Sequence, residues 1–110
     1  MEQEKEIVRK GNKTEEEIDA LKKQYGRVVE VSVTEGDTEH VGYFRRPDMK
    51  TMHAVSGVGT NNPLKGGEVL FDNTWLGGSE ELRSDAVLKM EAIAALNDVF
   101  TGCAHRLKNL

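Results

Sequence analysis

The sequence predicts an α+β fold: an N-terminal helix, a β-hairpin, and then three helices packed on one face of that sheet. Three observations lead there. Val29, Val31 and Val33 alternate with Glu30 and Ser32, the two-residue period of a half-buried strand. Glu35-Gly36-Asp37 follows with turn chemistry. Beyond it Val41 and Tyr43 fall on one face of a second strand and His40, Gly42 and Phe44 on the other, which makes a hairpin. On both sides of this pair, apolar residues return at spacings of three and four, the period of an amphipathic helix. Two strands alone are marginal in water, so the hairpin needs a helix layer, further strands or a partner's sheet edge.

The first helix should begin at Thr14. Thr14 with Glu17 three residues on is a capping box, and Glu15 and Glu16 suit the positive end of the helix dipole. Ile18, Leu21 and Tyr25 then form one apolar stripe, and Gly26 closes the helix. Pro47 ends the hairpin and suits the first position of the next helix, where Met49, Met52 and Val55 fall at helical spacing before Gly57 and Gly59. Asn62-Pro63 repeats the start signal. Leu64, Gly67, Phe71 and Trp75 share a face of the helix that follows, which Gly77-Gly78 should stop. Gly66-Gly67 inside it costs about 1 kcal/mol per glycine relative to alanine, unless the pair permits close packing against another backbone. Ser79 to Ser84 reads as a polar connection. Ser84 and Asp85 can cap a last, long helix lined by Met90, Ile93, Leu96, Phe100, Cys103 and Leu107.

At 110 residues there is room for one domain, expected over residues 14–110 behind a flexible arm at residues 1–13. The arm has only Ile7 and Val8 as strongly apolar residues; the alternative is an arm that orders on a partner. Charged residues are 31% and hydrophobic ones 37%, a polar balance that leaves room for a surface completed by another chain. A net charge of −4 argues against nonspecific binding to a phosphate backbone. The single cysteine, Cys103, excludes an internal disulfide and fits a reducing compartment. No apolar run is long enough to span a bilayer, and the charged N-terminus lacks the apolar core of a signal peptide. The expected location is cytoplasmic.

No constellation specifies a reaction. His40, His53 and His105 fall in three different predicted elements, without metal-ligand spacing, and Cys103 has no CxxC partner. These read as core or surface histidines and a buried structural thiol. The paired carboxylates sit at helix starts or in a polar linker, where capping explains them. The glycines match neither dinucleotide-binding nor P-loop patterns. No catalytic, cofactor-binding or metal-binding residues are therefore expected. Tyr43, Phe44, Arg45 and Arg46 set a basic pair beside aromatics at a strand end, the mixture a single-strand-binding sheet uses; the plainer reading is a strand end whose arginines meet acids or solvent. Phe71, Trp75, Leu76, Ile93, Leu96 and Phe100 read as anchors of the core or of a protein interface.

The motifs YFRRP at the hairpin end, Asn62-Pro63-Leu64 and Trp75-Leu76-Gly77-Gly78 before a final helix resemble small phage and prophage proteins of the tail-gene region, the tail assembly chaperone-like family. The similarity runs roughly from Tyr25 to Ala95. The resemblance implies a non-enzymatic protein of the bacterial host cytoplasm. It would bind a phage tail protein, such as the tape measure or tube, through apolar helical surface. Homo-oligomers are an open expectation. The alternatives are a small nucleic-acid-binding or regulatory protein using Tyr43 to Arg46, and a virion component that self-assembles through its sheet edge.

Overall fold

The computed structural model describes residues 6–100 and 103–110, without the side chains of residues 99 and 100. The chain forms a four-stranded sheet with helices packed against it, an α+β architecture. In chain order the elements are β1 (Val8–Lys10), α1 (Glu15–Tyr25), β2 (Val28–Glu35), β3 (Thr38–Arg45), α2 (Met49–Gly59), α3 (Pro63–Thr74), β4 (Trp75–Gly78), α4 (Glu80–Ser84) and α5 (Ala86–Phe100).

β2 and β3 are the expected antiparallel hairpin, with Val31 opposite Gly42 and Glu30 opposite Tyr43. Gly36 takes φ +62° at the turn, a left-handed conformation that glycine adopts without steric cost. β3 is the centre of the sheet. β2 lies along one edge, and two short strands share the other: β1 runs parallel to the start of β3, and β4 runs antiparallel to its end. Two expectations are corrected here. Val8–Lys10 is not loose arm but a strand, held by pairing with Thr38–His40. Residues 1–5 of the arm lie outside the described residues. Trp75–Gly78 is not the end of a helix but a strand: α3 stops at Thr74, whose hydroxyl bonds back to the Leu70 carbonyl at 2.7 Å.

β3 is buried on both faces, as a central strand must be. Phe44 joins Val31, Leu70, Phe71, Leu82, Leu88, Ala92, Ile93 and Leu96 in the core beneath α3, α4 and α5. On the other face, buried Tyr43 receives the Lys13 backbone N–H on its hydroxyl oxygen and donates to Glu30 Oε1, both at 3.0 Å. Burial and the Glu30 carboxylate push the phenol above its ordinary range, against the opposing pull of the Lys13 N–H. The N-terminal segment thus covers a face that the hairpin alone would leave open.

The helix starts follow the capping logic. Thr14 and Glu17 form the full capping box of α1, and Asn62 accepts from Lys65 N at the start of α3 with Pro63 behind it. Asp85, rather than Ser84, caps α5 by accepting from Val87 N at 2.9 Å and Leu88 N at 3.1 Å. Pro47 lies one residue before the cap of α2, which is Asp48. The stretch expected as a polar connection contains the short helix α4. At the other end residues 103–110 are not helical, so the stripe expected to run on to Leu107 is cut short. Cys103 is exposed, not buried, and Leu107 is 83% exposed.

Gly66 and Gly67 are explained by close approach. A Cβ at Gly66 would lie 2.9 Å from the Gly59 Cα of α2, and one at Gly67 would lie 2.6 Å from Ile93 Cγ2 of α5. The two glycines therefore let α3 touch one helix on each side. Closer packing offsets their cost in helix propensity.

A candidate protein-binding surface

The residues expected as anchors fall into two groups. Phe71 and Leu96 are fully buried, and Ile93 nearly so; they are core and offer nothing to a partner. Trp75 and Leu76 are half-buried on β4, while the side chain of Phe100 lies outside the described part of the chain. Trp75 stacks on Phe71 with centroids 5.4 Å apart and meets Phe44 edge-on at 5.5 Å. Gly42 makes this possible: a Cβ there would sit 2.9 Å from Trp75 Cζ3. The Arg83 guanidinium covers the indole at 5.6 Å from its centroid. Aromatic pairs of this kind contribute about 0.5–1.5 kcal/mol each beyond their area. Trp75 thus serves mainly as a core anchor.

The strand-end group expected as a nucleic-acid contact comes apart in the same way. Tyr43 and Phe44 are 1% and 0% exposed, so neither ring face is open for a base to stack on. Arg45 pairs with Asp48 at 3.6 Å, which leaves only Arg46 of the four exposed and free of an ion pair among the described residues.

Two arrangements were not expected from the sequence. The first is polar. His40 is 3% exposed, and its Nδ1 is hydrogen-bonded to Ser79 Oγ at 2.8 Å. Glu81 Oε2 lies 3.8 Å from His40 Nε2, and Lys10 Nζ reaches the other Glu81 oxygen at 3.3 Å. The order serine, imidazole, carboxylate is that of a nucleophile relay. Ser79, however, is 6% exposed and follows β4 directly, extending its ladder by donating its backbone N–H to the Val41 carbonyl of β3. The trio instead ties β1, β3 and the β4–α4 junction together, and among the described residues no buried polar side-chain atom lacks a partner.

The second is apolar, and it is on α2. This helix reads MKTMHAVSGVG, yet Thr51 is its one buried residue. Met49 is 68% and Met52 40% exposed, while Val55 and Val58 are half-buried and Val55 packs against the core. The helix packs on α3 and hardly reaches the sheet. Its start is capped by Asp48, it meets α3 closely at Gly59 and Gly66, and it reaches the core cluster through Val55. Residues 49–67 contain no Asp or Glu, although acids outnumber bases by 19 to 15 in the whole chain. Arg46, Lys50 and Lys65 are exposed around this lobe and make no ion pair among the described residues. The sequence signal was present in this acid-free run and in Met49 and Met52; only their exposure was not readable.

The remaining exposed edge is β2. A groove of about 390 Å³ runs between it and α5, with Glu91 and Asp98 on its helix side. Glu30 and Glu35 on β2 disfavour edge-to-edge pairing between copies. Among the described residues no helix is long and apolar enough to cross a membrane.

No family model and no curated protein matches this sequence. The chain does share its fold with a solved structure of an uncharacterised protein, rbstp2171, from Bacillus stearothermophilus. The TM-score is 0.60 at 20% identity, over 84% of this chain and 99% of that one.

Proposed function

We propose that this chain is a non-enzymatic assembly factor that works by binding another polypeptide, and that α2 is the face it offers. One observation carries the reading: an apolar helix that buries only Thr51 and holds Met49 and Met52 in water. Removing apolar surface from water is worth roughly 25 cal/mol per Å², so the exposed surface of Met49 and Met52 can add stabilisation through a partner. Methionine suits the task because its flexible, polarizable chain adapts to varied apolar shapes.

The resemblance of YFRRP, Asn62-Pro63-Leu64 and Trp75-Leu76-Gly77-Gly78 to tail assembly chaperone-like proteins supplies the class of client. It is a phage tail protein, such as the tape measure or tube, kept from aggregating in the host cytoplasm before the tail polymerises. Relative to the sequence expectation, the binding face moves from Phe71, Ile93 and Leu96, which are core, to the outer side of α2.

Co-expression with tape-measure fragments tests this. A client fragment should co-purify with the unaltered protein and be lost from the Met49→Glu/Met52→Glu variant, whose circular dichroism should stay unchanged because both residues are exposed. Recovery of the protein alone beside a soluble, abundant fragment would overturn the reading.

A further inference from the structure

The chemistry around α2 says more about the partner than that it is apolar. Arg46, Lys50 and Lys65 are exposed and without an ion pair among the described residues, and no acid falls between Met49 and Gly67. Several cations elsewhere are paired, Arg9 with Glu30 and Glu39, Lys10 with Glu81 and Lys89 with Asp72, and Asp48, the acid next to Met49, is taken by Arg45. A chain with net charge −4 thus keeps a local positive field around its exposed methionines.

Resting on the reading that α2 is the binding face, we propose that its partner is an acidic amphipathic helix of another protein. Such a helix would lay its apolar stripe along Met49 and Met52 and hold its carboxylates over Arg46, Lys50 and Lys65. Helix-on-helix packing fits because α2 presents a convex side chain row, not an open strand edge. Charge complementarity sets approach rate and orientation, and the methionines supply the area that leaves water. A nucleic acid is the poorer occupant: phosphates would meet only three cations, and Met49 and Met52 would meet a charged backbone.

The test uses the full chain and labelled synthetic peptides, read by fluorescence anisotropy. One peptide carries leucines at helical spacing with glutamates elsewhere; its twin has lysines in place of the glutamates. The acidic peptide should bind, and its twin should bind about tenfold more weakly or not at all. Met52→Glu should weaken the acidic peptide about tenfold. Arg46→Glu/Lys50→Glu should do the same at low salt and much less at high salt. Equal binding of both peptides would overturn the charge selectivity while leaving α2 as an apolar docking face. Binding of neither peptide, when the tail client still co-purifies through Met52, would sink the acidic-helix proposal alone. Preference for a single-stranded oligonucleotide would assign the lobe to a different occupant. So would concentration-dependent dimers that Met52→Glu dissolves.

Discussion

α2 and α3 are adjacent helices of 11 and 12 residues, both apolar in part and both interrupted by glycine. They meet different fates. α3 buries Gly66, Gly67, Leu70, Phe71 and Thr74, while α2 buries Thr51. The difference lies in neighbours rather than composition. α3 is wedged between the sheet, α5 and α2, so its apolar side is covered by three neighbours; α2 rests mainly on α3. Apolar content makes burial favourable, but position decides whether a surface is available to bury it.

The contrast can be broken most forcefully at Phe71. Phe71→Ala should cost about 3–5 kcal/mol in urea denaturation, since the ring is fully buried against Phe44 and Trp75. Met52→Ala on α2 should change stability by less than about 0.5 kcal/mol. Similar losses at both sites would mean that α2 belongs to the core.

Glycines sharpen it next. Gly67→Ala pushes a methyl against Ile93 and should cost about 1–3 kcal/mol, partly offset by alanine's better helix propensity. Gly66→Ala presses on the Gly59 backbone instead, so hydrogen exchange should speed up in α2 more than in α5. Gly57 in α2 has nothing within 4 Å of its would-be Cβ. Gly57→Ala should therefore stabilise the protein by about 0.5–1 kcal/mol. A loss there would show that α2 is covered.

The polar tie is a lever of similar size, outside both helices. Ser79→Ala strands the buried His40 ring nitrogen and should cost about 1–3 kcal/mol, freeing β1 before the rest of the sheet in hydrogen exchange.

The caps give the smallest effect. Thr14→Ala should cost about 1 kcal/mol or less, because α1 buries no residue and frays with little loss elsewhere. Acid acts on the same caps. The Thr14 backbone and hydroxyl groups hold the Glu17 carboxyl below its ordinary range, and the Thr51 N–H does so for Asp48. A carboxylate depressed in the folded state contributes its stability above the unfolded value and loses it as pH falls through the folded one. The starts of α1 and α2 should thus loosen at the acid end of the carboxylate range. Helicity measured by far-ultraviolet circular dichroism should fall there first, and a Glu17→Gln/Asp48→Asn variant should flatten that part of the curve.

Local chemistry was legible in the sequence wherever a signal is complete within a few residues. Thr14 with Glu17, Asn62 with Pro63, and the alternation of Val29, Val31 and Val33 each carry their whole physical cause in neighbouring atoms, and each stands as expected. Their sum also determined the α+β class. What only tertiary structure decided was pairing and cover. β1 and β4 have three and four residues, too few to show a period, and exist because β3 offers them a backbone ladder. Phe44 and Met52 are both apolar residues with helical or strand spacing, but one is under the helices and the other is in water. Burial is a relation between distant segments, set by where α3 and α5 settle on the sheet, and no local pattern contains it.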